Sequence, residues 1–210
     1  MHNYDSMRWT MNFGETFAYW YLRLNGFFPL SNFVLHGSEE ALRHSADVDL
    51  LAVRFPHVFE VIGGQERDWD TWFQQNLVDF EANPVGLLVE VKTGASASLP
   101  DMRRAFKQDR LRAAIHRLGF WPPDECEGVV NLLTERSYAR GDGYTVAKLA
   151  ITTRLLPSER VKDVCLNRSL SEIESFIHNR MQAYADPKLR DRMFFPDDLI
   201  QYFAWKATSG

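Results

Sequence analysis

In the run GLLVEVKTG, residues 86–94, one acid and one base interrupt an otherwise apolar stretch. Leu87, Leu88, Val89 and Val91 read as a buried strand, with Glu90 and Lys92 two residues apart in it. Side chains on a strand alternate between faces, so Glu90 and Lys92 point the same way. Burying a charge is expensive unless something pairs with it. Upstream, Asp47 and Asp49 stand two apart in ADVDLL and share a face opposite Val48 and Leu50. If these two strands are neighbours, Asp49, Glu90 and Lys92 converge, and Glu15, in NFGETF, approaches from a helix at one side.

Such a cluster has a chemical use. Carboxylates drawn together repel each other unless a cation neutralises them. Mg2+ suits the role, because it takes oxygen ligands and binds through one or two carboxylates plus water and phosphate. It lowers the pKa of a bound water and polarises a phosphoryl oxygen. A lysine beside it can orient the water, take its proton or stabilise charge on the phosphate, and the sequence leaves these three roles open. Each residue also has a plainer reading. Glu15 fits a capping box begun by Asn12. Asp47 and Asp49 fit exposed acids of an edge strand, and Glu90 and Lys92 fit an ion pair on a solvated sheet face. A buried pair of that kind contributes little net stability, so its place in a central strand needs another reason.

These residues require elements to hold them. Phe13, Phe17, Trp20, Tyr21 and Leu24 recur at helical spacing, and Glu15, Ala18 and Leu22 form a second stripe. A helix apolar on two sides is buried on both, and Gly26 ends it. Strands are expected at 32–37, 46–55 and 85–92, with a long segment at 56–84 that holds a helix near 70–80. The pattern then predicts one helix over 99–118, closed by Gly119 and the WPP break at 121–123. Strands at 127–134 and 144–155 follow, separated by turn chemistry at 135–143. Helices over about 169–184, with Ser169 or Ser171 as N-cap, and from Pro196 to about Lys206 complete the chain. This order predicts an α/β fold, a central mixed sheet covered by helices.

The G-E helix, DVDLLAV and VEVKTG, in that order, resemble the PD-(D/E)XK nuclease superfamily, the restriction-endonuclease-like fold. The pattern is similar to small bacterial endonucleases related to archaeal Holliday junction resolvases, and to Mrr-type restriction enzymes. It covers about residues 12–118. The resemblance implies a single nuclease domain: a core over about 12–155, an insertion at 56–84 and a helical extension over about 156–210. It implies Glu15, Asp49, Glu90 and Lys92 as catalytic residues. Asp49, Glu90 and the backbone carbonyl of Val91 would hold Mg2+, for which Mn2+ can substitute. It also implies cleavage of DNA in restriction, phage defence or repair, alone, as a homodimer or in a larger defence complex. A catalytically inactive nucleic-acid-binding or assembly subunit, and a nuclease for RNA, remain alternatives. The segment between the Asp49 and Glu90 strands is longer than in compact members, and beyond residue 119 no subfamily pattern is present.

The rest of the chain bounds this reading. It has 210 residues, 45% hydrophobic and 13% aromatic, which suits one domain with a real core. A net charge of −4 makes any polyanion contact the work of a local patch. Arg103, Lys107, Arg110 and Arg117 form a stripe at helical spacing, either a phosphate-contacting ridge or a solvated face, with Gln108 and His116 as weaker candidates nearby. Trp69 and Trp72, in the polar GGQERDWDTWFQQN, are the tryptophans best placed to touch substrate; the others read as core. Cys126 and Cys165 lie far apart without metal-ligand partners, the N-terminus lacks a signal-peptide pattern and no long apolar run occurs, so a cytoplasmic protein is expected.

Overall fold

The computed structural model describes residues 11–33, 48–77, 79–94, 97–157, 159–185 and 197–208. The fold is α/β: a six-stranded mixed sheet flanked by helices on both faces. Helix α1 (Phe13–Leu24) leads into β1 (Phe28–Phe33), β2 (Val48–Arg54) and, after a 3-10 turn at Glu66–Asp68 and the short helix α2 (Thr71–Asn76), β3 (Val85–Lys92). Helices α3 (Leu99–Ala105), α4 (Gln108–Leu118) and α5 (Cys126–Glu135) carry the chain to a hairpin of β4 (Tyr138–Gly141) and β5 (Tyr144–Thr152). The short helix α6 (Val161–Val164), β6 (Leu166–Ser169), α7 (Leu170–Ala183) and α8 (Asp198–Thr208) follow.

Strands β1, β2 and β3 pair antiparallel, and β3 pairs parallel with β5 along its whole length. On the far side of β5, β4 pairs with its first half and β6 with its second. β3 is therefore central, and its near-continuous burial follows from being covered on both faces. Leu87, Val89 and Val91 face the layer made with α1, α7 and α8, while Leu88 faces α3, α4 and α5.

The expected strands at 46–55 and 85–92 match β2 and β3, although residues 46 and 47 lie outside the described residues. The first strand lies earlier than the 32–37 expected, with 34–37 outside the described residues. It contains Pro29, which a strand at the sheet margin tolerates because the missing N–H has no partner to serve. Residues 127–134 are a helix, not a strand: Cys126, Val129, Val130 and Leu133 are buried at the three- and four-residue spacing of a helix face. The span 135–143, expected as turn, contains β4, and β6 and α7 make the expected C-terminal extension part of the sheet and core. Ser169 is the N-cap of α7, its side chain accepting from the Glu172 N–H.

The expected helix over 99–118 is two helices. Phe106 ends α3 with its ring buried, and Lys107 is extended before α4 begins. Lys148, in the middle of β5, is almost wholly buried, yet its ammonium donates to the carbonyl of Leu133 in the last turn of α5. The orphan carbonyl and the buried cation satisfy one another.

Candidate active site

The antiparallel register sets Leu50 opposite Val89 and Leu51 opposite Leu88. Continued by one position, it sets Asp49 opposite Glu90, so the two carboxylates share a face. Glu90 is buried and Asp49 is half-buried. Asp49 Oδ2 accepts from the Val91 N–H at 2.6 Å, and the Lys92 ammonium forms an ion pair with Glu90. The three residues anticipated to converge therefore meet at the C-terminal end of β3. At this contact Val91 contributes its N–H. Asp47 lies outside the described residues.

Glu15 reaches the same end of the sheet from α1. An added Cβ on Gly14 would lie 2.2 Å from Thr93 Cγ2 and 3.0 Å from Val91 Cγ1. Only glycine lets the first turn of α1 sit this close to the end of β3. The capping box is complete: the Glu15 N–H donates to Asn12 Oδ1 at 3.0 Å, and the Asn12 N–H donates to Glu15 Oε2 at 3.2 Å. Glu15 thus has a structural task, and its charge also acts on Asp49. The two readings of this residue are not exclusive.

Burial, then the Glu90 charge, pushes the Asp49 carboxyl up to about 7, with Glu15 adding to the effect and the Val91 N–H and Lys92 opposing it. Burial also works against the Lys92 ammonium, but its bond to Glu90 and the Glu90 and Asp49 charges outweigh this and hold it above its ordinary value. Lys92 therefore keeps its proton, which suits stabilising negative charge better than removing a proton from water. The Arg110 charge acts on Lys92 in the opposite direction, as the smallest of these influences.

The cations predicted as one stripe do not act as one, because the break at Phe106–Lys107 divides them between two helices. Arg103 is exposed on α3, and Arg117 is exposed in the last turn of α4. Lys107 is paired with Asp109 at 2.8 Å. Gln108 ties α4 to Asn131 of α5 at 3.2 Å, and His116 is exposed. Arg110 is half-buried and carries the electrostatic link to Lys92.

Trp69 and Trp72 lie elsewhere. Trp69 is 6% exposed, belongs to the layer on the α1 and α7 side, and has the Arg54 guanidinium 5.1 Å from its ring centre. Its burial gives this ring a place in the core layer, and the residue also lines a surface cavity with Gln65, Glu66, Arg67, Thr71 and Gln74. Trp72 packs partly buried against the same layer, with Arg168 5.2 Å from its ring centre. Glu90 and Lys92 follow Leu88 on the opposite sheet face, so neither tryptophan shares their layer.

Two oxygen-rich carboxylates without a full complement of cations suit a hard ion such as Mg2+. Asp49, half-buried against Glu90 and raised as described, is the observation that fits. Among the described residues, no group of three or more His, Cys, Asp or Glu side chains is arranged to hold a metal. No family model, curated protein or solved structure matches this chain.

Proposed function

We propose that the protein is a Mg2+-dependent endonuclease that hydrolyses phosphodiester bonds of DNA. The observation that carries this reading is the meeting of Asp49, Glu90 and a protonated Lys92 at one strand end, with the Glu15 charge close by. Asp49 and Glu90, with the Val91 carbonyl, would hold the ion. When bound, Mg2+ supplies positive charge to the phosphoryl oxygens and a water of lowered pKa. The Val91 N–H orients the Asp49 carboxylate, and the β2–β3 register keeps it opposite Glu90. Lys92 stabilises the charge that builds on the phosphate as water attacks phosphorus. Glu15 holds the first turn of α1 against the site and adds negative charge there. Restriction, phage defence or repair in a cytoplasm is the setting suggested by pattern alone; the buried thiols of Cys126 and Cys165 accord with a reducing compartment. Among the described residues no helix is long and apolar enough to cross a membrane.

The test is to incubate the pure protein with single-stranded, duplex and branched DNA and with RNA, in Mg2+, Mn2+ or EDTA. DNA cleavage in either metal, absent in EDTA and absent in a normally folded Glu90→Ala variant, is expected. Cleavage of RNA alone would move the substrate class. A folded wild-type protein that cuts none of them, or a Glu90→Ala variant as active as wild type, overturns the assignment.

A further inference from the structure

The break between α3 and α4 places Arg110 in the first turn of α4, half-buried. Leu111, Ala114 and Ile115 bury one face of α4 in the core layer that also holds Leu51 of β2 and Leu88 of β3. That packing brings the first turn of α4 over the strands that carry Asp49 and Glu90. Arg110 Nη1 donates to the Ala105 carbonyl at 3.3 Å, a bond that spans the break and steadies the side chain. Of the neighbouring cations, Lys107 pairs with Asp109 at 2.8 Å and Arg112 with Glu127 at 2.7 Å, while Arg103 is exposed on α3, in the helix before the break. Arg104 lies 3.9 Å from Asp101. Arg110 forms no ion pair among the described residues. A guanidinium with a neutral carbonyl as its anchor keeps its full charge and further N–H donors for an anion.

We propose that Arg110 is the phosphate-anchoring residue of this site, holding a backbone phosphate of the polynucleotide next to Lys92, while Lys107 and Arg112 serve the fold. The proposal rests on the nuclease reading. It replaces a general basic ridge with one positioned contact.

Three variants test it: Arg110→Ala, Arg110→Lys and Lys107→Ala. Binding of a fluorescently labelled DNA duplex and of its single strands is measured in EDTA over a series of salt concentrations, cleavage in Mg2+, and melting temperature alongside. Arg110→Ala should weaken binding about tenfold and reduce the salt slope by about one phosphate contact. Arg110→Lys should restore the slope, because an ammonium still neutralises a phosphate, but recover cleavage only in part, because it lacks the planar fork. Lys107→Ala should leave affinity within about twofold of wild type, since the Asp109 carboxylate beside its ammonium already balances its charge. An Arg110→Ala variant that melts lower yet keeps the wild-type affinity and salt slope would show a structural role only and overturn the proposal. Equal losses from Lys107→Ala would overturn it too, in favour of an undifferentiated ridge. In both cases wild-type protein still cuts DNA and the nuclease reading stands; a wild type that neither binds nor cuts sinks both.

Discussion

Folding strongly alters the chemistry of Asp49. In the unfolded chain it ionises in the ordinary carboxylate range, near 4. In the folded chain it holds its proton up to about 7, chiefly because of burial and then Glu90. Between those two values the folded state binds the extra proton, so this group's contribution to stability falls as pH rises and levels off above about 7. The expected size is on the order of 2–3 kcal/mol, lowered from the full shift because the carboxylate is only half-buried. Asp49→Asn cannot ionise and should abolish that fall. Denaturant unfolding in EDTA at about pH 5 and about pH 8 measures it; an Asn variant that loses as much stability as wild type would clear Asp49 of the effect. The same variant should also lose the stabilisation by Mg2+ expected of wild type, which is a binding readout independent of cleavage.

At the scale of elements, one close approach holds the site together. The first turn of α1 rests against the end of β3 only because residue 14 has no side chain beyond hydrogen. Gly14→Ala gains helix propensity of roughly 1 kcal/mol, but its methyl would overlap Thr93 Cγ2 at 2.2 Å. Overpacking of this kind typically costs about 1–3 kcal/mol, so a net loss of stability is expected, with α1 and Glu15 moved away from Asp49. Thr93→Ser removes the offending methyl, so the double variant should recover most of the melting temperature. If Gly14→Ala alone melts at or above the wild-type temperature, the contact is less tight than described.

For the molecule as a whole, the described residues of segment 56–84 tie several elements together. Arg54, 1% exposed, donates to the carbonyls of Asn25 at 3.2 Å and Phe80 at 2.8 Å, and lies over the rings of Trp69 and Phe80. Burial lowers its pKa to about 10, yet carbonyl partners keep its donors satisfied. Arg180 of α7 donates to the carbonyls of Leu24 and Gly63. Asp70, at the N-cap of α2, accepts from Tyr21 Oη at 2.7 Å and pairs with Arg168, joining this segment to α1 and β6. Trp69→Ala should therefore destabilise the protein by about 3–5 kcal/mol, as expected of a large ring removed from a core. The DNA affinity of the fraction that remains folded should stay at the wild-type level. Loss of affinity with unchanged unfolding would return Trp69 to a substrate-contacting role.

What the sequence determined by itself is the alternation along two strands and the charges set into them. Alternation is a local property, so LLVEVK could be read as a buried strand with Glu90 and Lys92 on one face before any neighbour was known. The capping box from Asn12 to Glu15 was legible for the same reason, since its partners are three residues apart. The four apolar positions of α5 were equally local, but their compactness resembled a strand until the spacing of Cys126, Val129, Val130 and Leu133 was given its helical meaning. Tertiary structure alone decided that β2 and β3 are neighbours, and so that Asp49 faces Glu90. It also decided that Phe106 turns inward and divides a helix, leaving Arg110 and Lys107 in different circumstances. The polar sequence neighbours of Trp69 suggest an accessible ring, whereas the Arg54 guanidinium lies over it and it packs into the core layer with α1 and α7. Burial and charge depend on which groups arrive from elsewhere in the chain, and no window of sequence contains them.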